Sequence, residues 1–523
     1  MSGLNKLLIF YKREGNKRVL IHDKILIENI INNIDILEFL HNDTKERLET
    51  INEKLAEQIK SNQKAQEEAS FTGKNVVDMI VPVWGYMLQD SINFLKYSDY
   101  REFSHWRPRN RSNVRDMINE IAFGIEKLCK YFIQFTEFEA VLYGIDANYR
   151  DHVVHVFRVW LLGMLFLLEK KPTDCGADGI TFNIRQLEID SPVKVKGVSA
   201  YNDNEILSMW VIIALCHDLG YPLEKTEKIN EAVEKMFNLL GKLSVQKFAV
   251  SFQQEHQHIN KFLLEFISSK IVLRGNASED KRYKQLLEIL SNTEKFTQMT
   301  EDKFKEDEGL NLKCFGTSIQ SKYYLKFSKS LENYSHGIIS CSIILKSLFY
   351  FLESDFNIQD KNYFSFEDAR QFLIRREILR AIASHTCPEI YHLRTNTLSF
   401  LLILCDEMQE WGRPRFGEMK TGFVNTGIEK IEIKSYSSEK IEFAIKYVGT
   451  GNFENFAIRQ FTRWHEILRS AVDDSIRNFK VEITFDFNGE KYKFNHEMGG
   501  FVVTKGLELY NLDEILTPKS LKK

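Results

Sequence analysis

At 523 residues and 43% hydrophobic content the chain is too long for one ordinary core, so one large domain with appendages, or roughly two to three domains, is expected. A net charge of −3 provides no bulk field for nucleic acid or an anionic membrane, which leaves only a local basic pocket for anions. The seven cysteines are scattered without CxxC spacing, several inside apolar runs, as expected of reduced core thiols in a cytoplasmic protein.

The opening stretch MSGLNKLLIFYKREGNKR has too short an apolar run for a signal peptide. The longest apolar runs, 159–168 and 398–405, fall short of the ~20 residues a membrane span needs, so no membrane partner is expected. Residues 7–11 and 18–21 flank Gly15-Asn16 and are expected to pair as a short hairpin. Over 25–63 a helical pattern takes over. Ile27, Ile34, Leu48 and Leu55 share one heptad position, and Ile30, Leu37 and Ile51 another. That seam needs a partner surface, either a second copy of the chain, giving a homo-oligomer, or the chain's own domain.

From about 76 to 416 the chain is helix-rich. It is interrupted by a Gly- and Pro-bearing stretch near 172–200, expected as a loop or small β excursion, and a polar insertion near 274–322, expected to be mobile or to form surface helices. Beyond 417 the period changes from 3.6 to 2, as in Ile441, Phe443, Ile445 and Tyr447, or Val481, Ile483, Phe485 and Phe487. Asn488-Gly489 is a two-residue hairpin signal, and Phe453, Ala457, Phe461, Trp464 and Leu468 form one helical face. The expected fold is therefore mainly α: an N-terminal hairpin and helical extension over 1–75, a helical core over 76–416, and a small α+β unit over 417–523.

Chemistry concentrates where polar groups interrupt apolar helices. In WVIIALCHDLGYP, residues 210–222, a buried-helix pattern ends in His217-Asp218 before Gly220 and Pro222 stop it. Two such groups at the end of a buried helix need a strong partner, a divalent metal being one, while a capping Asp beside a core His is the other reading. Four further stretches share the feature: His152 and His155 in YRDHVVHVFRVWLL, His336 opening HGIISCSIIL, His385 in ILRAIASHTCP, and Asp406 in LSFLLILCDEMQEWGRPR. Five such events in one helical domain favour mutual satisfaction around a metal over five separately bonded core residues.

The ordered set His155, His217-Asp218, His336, His385 and Asp406 resembles the HD superfamily of metal-dependent phosphohydrolases, over roughly residues 149–415. The HxxH of His152 and His155 is similar to the start of the cyclic-nucleotide phosphodiesterases. The SHG, SHT and DExxxxxR features at His336, His385 and Asp406 to Arg413 are similar to bacterial dinucleoside tetraphosphate hydrolases. HDLGYP is similar to the HDLGHPP of deoxynucleotide triphosphohydrolases, with Tyr221 in place of a His. The resemblance implies that His155, His217, Asp218 and Asp406 hold one metal and that Asp218 bridges to a second held by His336 and His385. Two cations ~3.5–4 Å apart would activate a hydroxide for attack on phosphorus, with Asp218 at the reacting centre. It implies His152 as general acid. Arg150, Lys225, Arg413 and Arg415 lie beside ligands in sequence and are candidate phosphate clamps. His256 and His258, in the long interval between Asp218 and His336, are alternative ligands or catalytic groups of a one-metal site. Cys216 and Cys405 sit about 100° around their helices from His217 and Asp406 and are expected to face the core, so Mn²⁺, Fe²⁺, Co²⁺ or Mg²⁺ is expected rather than structural zinc.

The expected function is hydrolysis of a nucleotide, a (deoxy)nucleoside triphosphate or a dinucleoside polyphosphate, in the cytoplasm. The alternatives are a phosphodiesterase for cyclic nucleotides or single-stranded nucleic acid, and a nucleotide-binding signalling protein without turnover. A nucleotide effector is a further expected partner of the terminal units.

Overall fold

The computed structural model describes residues 6–9, 11–14, 17–20, 22–62, 74–102, 122–145, 151–168, 189–190, 201–238, 254–276, 313–352, 366–387, 390, 397–409, 427–436, 440–449, 460–465, 467, 478–487, 490–497, 500–505 and 508–510. The protein is mainly helical; among the described residues the strands lie at its two ends and in one small central sheet.

The N-terminal strands divide differently from the expected hairpin. β1 (Lys6–Ile9) is followed by β2 (Tyr11–Glu14), which pairs with β3 (Lys17–Leu20), while β1 itself pairs antiparallel with a strand over 400 residues away. The helix expected over 25–63 is two helices, α1 (His22–Ile31) and α2 (Asn42–Asn62). The break has a local cause. Asn33 Nδ2 donates to Asn29 O at 2.7 Å, taking the carbonyl that a continuing helix would use, and Ile34–Ile36 forms a 3-10 turn. Most of the apolar seam survives the break: Ile27, Ile30, Leu37, Leu48, Ile51 and Leu55 are at most 3% exposed, buried against the chain's own core, while Ile34, in the 3-10 turn, is only partly buried. α1 is further tied down by Asp23, whose carboxylate accepts from Arg158 Nη2 at 2.8 Å and Nε at 3.0 Å.

α3 (Lys74–Glu102) and α4 (Ile125–Ile145) meet where Trp84 stacks on Phe132, ring centroids 4.1 Å apart. The centre of the fold is the pair α5 (Val153–Leu167), buried along its whole length, and α6 (Asp203–Cys216). They cross at Gly163, where a Cβ would stand 2.0 Å from the Trp210 ring, and the indole donates to Trp160 O at 3.1 Å. α6 begins with a capping box: Asn202 accepts from Glu205 N and Glu205 from Asn202 N. An 18-residue window within Asp203–Lys235 is apolar enough to cross a membrane, yet 83% of it is buried inside the protein, as a core helix requires.

After the short α7 (Tyr221–Glu224) and α8 (Thr226–Asn238), α9 (Gln254–Ser268) leads into the central sheet, in which β4 (Ile189–Asp190) runs parallel to β5 (Ser269–Asn276), itself antiparallel to β6 (Lys313–Ile319). Residues 274–276 and 313–319 of the 274–322 insertion are therefore strand, 321–322 open α10, and 277–312 lies outside the described residues. α10 (Ser321–Glu332), α11 (His336–Ser347), α12 (Phe366–Ser384) and α13 (Leu398–Met408) complete the helical core.

The C-terminal strands β7 (Gly427–Tyr436), β8 (Lys440–Gly449), β9 (Asn478–Phe487), β10 (Glu490–Glu497), β11 (Gly500–Lys505) and β12 (Glu508–Tyr510) form a seven-stranded sheet with β1 at its edge, β8 and β9 running parallel. Asn488-Gly489 joins β9 to β10 with Phe487 opposite Glu490. Ile445, Tyr447, Ile483 and Phe494 are buried on one face, and Phe461 and Trp464 of the intervening segment are buried too. Phe453, Ala457 and Leu468 lie outside the described residues.

Candidate metal centre

The site is built on the turn that ends α6. A helix C-terminus leaves carbonyls without intrahelical partners. Here side chains from three other helices take them: Trp84 Nε1 donates to Leu215 O at 2.9 Å, Ser340 Oγ to His217 O at 2.7 Å, and Tyr131 O–H to Leu219 O at 2.6 Å. Gly220 N donates to Ser340 Oγ at 2.8 Å, and a Cβ on Gly220 would stand 2.3 Å from His336 O. The His217-Asp218 turn and the start of α11 are thus pressed together by a serine and a missing side chain.

Four imidazoles converge on two carboxylates. His155 Nε2 lies 2.9 Å from Asp406 Oδ1 and 3.7 Å from Asp218 Oδ2. His217 Nε2 lies 3.3 Å from Asp218 Oδ2 and 4.0 Å from Asp406 Oδ1. On the other side of Asp218, its Oδ1 is 3.3 Å from His336 Nε2 and 3.7 Å from His385 Nε2. Every one of these rings is turned by a partner at its far nitrogen. Nδ1 of His217 meets Ala214 O at 2.8 Å, that of His385 meets Ile382 O at 2.6 Å, that of His336 meets Glu224 Oε2 at 2.6 Å, and that of His155 contacts Gln409 Oε1. Acceptors at Nδ1 fix the tautomer that presents Nε2 as a ligand.

These contacts set the charges. Burial pushes the Asp218 carboxyl up, but His217, His336 and His385 outweigh it and hold it well below the usual carboxylate range. Burial likewise opposes ionisation of Asp406, and His155 overcomes it. Burial lowers His336, yet Asp218 and Glu224 together raise it to about 9. His385 goes the other way, pushed down chiefly by burial and kept neutral beside its cationic neighbour. The centre is sealed on one side and open on the other: the side chains of His155, His217 and His385 are at most 2% exposed, those of His336, Asp406 and Glu224 18%, 22% and 27%.

Two features fit a metal ion. His217 Nε2 is buried without a hydrogen bond, an orphan that a ligand would satisfy. His336 Nε2 and His385 Nε2 stand 3.1 Å apart with both Nδ1 atoms facing acceptors, so two neutral rings would oppose lone pairs unless a proton or cation lies between them. The ligand atoms of His155, His217 and Asp218, of His217, His385 and Asp406, and of Asp218, His336 and His385 each lie within 4.8 Å of one another, and each group could hold a metal ion. Burial pushes the Cys216 and Cys405 thiols well up, which keeps them protonated core residues rather than thiolate ligands.

Of the other residues singled out in the sequence, His152 is the N-cap of α5, with its N–H donated to Glu139 Oε1 at 2.7 Å and its ring on Tyr221 at 3.7 Å between centroids. Lys225 is bound to Glu224 Oε1 at 2.7 Å and lies 4.5 Å from the Tyr221 ring centre. His258 is exposed on α9 and belongs to none of the groups clustered among the described residues, whereas His336 is brought into one of them. The side chain of His256, and Arg150, Arg413 and Arg415, lie outside the described residues. Glu224, Gln409, Glu139 and Ser340 join Tyr221 in the surrounding shell, and sequence reasoning missed these four. Glu224 and Gln409 lie six and three residues after ligands, but nothing in their type distinguishes them from surface polar residues.

Comparison with known proteins found no matching family model, curated protein or solved structure.

Proposed function

We propose that the protein is an HD-type metal-dependent phosphohydrolase acting on a nucleotide, a (deoxy)nucleoside triphosphate or a dinucleoside polyphosphate. The observation that carries this reading is the convergence of four Nε2 atoms on Asp218 and Asp406, with all four Nδ1 atoms held from behind. His155, His217, Asp218 and Asp406 would hold one divalent ion, and Asp218, His336 and His385 a second. With imidazole and carboxylate donors only, Mn²⁺, Fe²⁺, Co²⁺ or Mg²⁺ suits the set. Such an ion supplies Lewis acidity toward phosphoryl oxygens and acidifies water at neutral pH.

The chain's own groups do the rest. Asp218, the carboxylate common to both ligand groups, fixes them relative to one another. Glu224 and Gln409 orient His336 and His155. His152, whose backbone N–H is held by Glu139 and whose ring lies against Tyr221, would donate a proton to a departing oxygen. Lys225, at the open edge beside Glu224, offers a cation to a phosphate. Access from the Asp406 and Glu224 side suits a small anion better than a long polymer, in keeping with the net charge of −3.

Ion-exchange analysis of products tests this. Mn²⁺-loaded protein is incubated with pooled dNTPs, NTPs, dinucleoside polyphosphates and cyclic dinucleotides, beside an Asp218→Ala control. Loss of a triphosphate or polyphosphate with the native chain alone is the expected result. Cleavage of phosphodiesters alone would replace this reading with a phosphodiesterase, and no turnover would replace it with a nucleotide-binding protein.

A further inference from the structure

An open cavity of about 550 Å³ lies between α9 and α10, outside the metal centre. Its size falls in the range of small-ligand pockets. Tyr324 and Tyr334 supply aromatic walls, Gln257 and Asn260 amides, Lys261 a cation and Glu332 an anion. Two observations set it apart from an ordinary surface hollow.

The first is Asn260. It is 5% exposed, and its Oδ1 accepts from Ser342 Oγ of α11 at 2.8 Å, while among the described residues no hydrogen bond engages its Nδ2. A buried amide held at its oxygen and lining a cavity presents an N–H donor to whatever fills that cavity. The second is Tyr334. Helix α10 ends in a Schellman motif, with Tyr334 N donating to Leu331 O at 3.0 Å and Ser335 N to Ser330 O at 3.1 Å. The left-handed position of that motif, φ +51°, is where glycine is favoured, yet a tyrosine occupies it and its ring lines the cavity. A bulky side chain kept in a strained backbone conformation marks a site where the ring itself is used.

We infer that this cavity is a second ligand site, which takes a planar heterocycle with a hydrogen-bond acceptor on its edge, the nucleobase of a nucleotide. The tyrosine rings provide stacking surfaces, Asn260 Nδ2 donates to a ring nitrogen or carbonyl, and Lys261, its side chain 61% exposed and its Nζ 4.0 Å from Glu265 Oε1, stands on the solvent side where a phosphate would compete for it. The ligand class rests on the nucleotide reading proposed above, whereas the existence of the site rests on Asn260 and Tyr334. Both residues connect to α11: Asn260 through Ser342, and Tyr334 by preceding Ser335-His336 directly.

Titration calorimetry of the full chain with guanosine, adenosine, cytidine and uridine tests the inference. At least one nucleoside is expected to bind, and its affinity to fall about tenfold or more in Tyr334→Gly, which removes a stacking face, and in Asn260→Asp, which turns the donor into an acceptor. Tyr334→Gly relieves the left-handed strain, so it is expected to melt no lower than the native chain, which separates lost binding from lost folding. Equal affinity in all three proteins, or no binding by any nucleoside, would overturn the site. Binding retained in Asp218→Ala places the base in this cavity, and binding lost there would place it at the metal centre and overturn the inference. Native turnover with unchanged nucleoside binding in Tyr334→Gly would sink the cavity and spare the phosphohydrolase. Absent turnover with Tyr334-dependent binding would do the reverse. Competition by the hydrolysed nucleotide identifies the base as the substrate's own, and its absence identifies a separate nucleotide, both outcomes supporting the site.

Discussion

Glu224 holds His336 by two bonds at once: one carboxylate oxygen, Oε2, takes the imidazole Nδ1–H at 2.6 Å and the backbone N–H at 3.0 Å. The other oxygen is occupied by Lys225. The contact fixes the ring that faces Asp218 and raises its affinity for a proton or a cation. Glu224→Gln keeps the shape and removes the charge. Manganese affinity is expected to fall about 10–100-fold with little change in melting temperature, read by metal titration. An unchanged affinity would show that His336 needs no such partner.

Metal affinity should also depend on pH in a direction these contacts dictate. In the metal-free chain burial lowers the His336 pKa, but Asp218 and Glu224 outweigh it and raise it to about 9. Because that lies above the value for the unfolded chain, the proton's contribution to stability is complete below about pH 6.5 and is lost as pH rises through about 9. A metal ion displaces the same proton. Affinity is therefore expected to rise from about pH 6.5 to 9 and then level off, with proton release measurable by calorimetry in buffers of different ionisation heat. Affinity independent of pH over that interval would contradict the assignment of His336 as a ligand.

The helix crossing that brings His155 toward His217 depends on Gly163. A methyl group there meets the Trp210 ring at 2.0 Å, and neither a tightly packed indole nor the α5 backbone has room to move. Gly163→Ala is expected to cost about 1–3 kcal/mol in chemical denaturation and to weaken metal binding by spreading the two helices. A stable variant with intact metal binding would mean that the crossing tolerates separation.

Asp23 and Arg158 test how firmly the N-terminal helix belongs to the core. Both are buried, at 3% and 0% exposure, so Asp23→Ala removes the carboxylate that pairs with a guanidinium in the interior. The expected loss is about 3–5 kcal/mol, seen as a lower denaturation midpoint. A loss below about 1 kcal/mol, the scale of an exposed pair, would show α1 to be loosely attached.

Much of this architecture is readable from local pattern. The clustered histidines and aspartates stand out because each interrupts an apolar helix, and the structure brings His155, His217, Asp218, His336, His385 and Asp406 into overlapping groups that could hold a metal ion. The β9–β10 hairpin follows from Asn488-Gly489 between alternating runs. What the pattern hides is non-local. Nothing near Lys6–Ile9 indicates pairing with Gly427–Tyr436, since strand partners far apart in sequence share no local signal. The break between α1 and α2 depends on Asn33 competing with its own backbone, which a heptad count overlooks. Glu224, Gln409 and Ser340 become visible only once folding places them behind or between the ligands.

The most direct test of the central claim is the metal content of the purified chain, loaded with Mn²⁺, dialysed and measured by mass spectrometry beside Asp218→Ala. Asp218 is the carboxylate shared by two of the ligand groups. The native chain is expected to retain manganese at one to about two ions per molecule and the variant almost none, with both folded by circular dichroism. Equal retention in the two proteins, or none in the native chain under any divalent metal, would contradict a metal centre at this cluster.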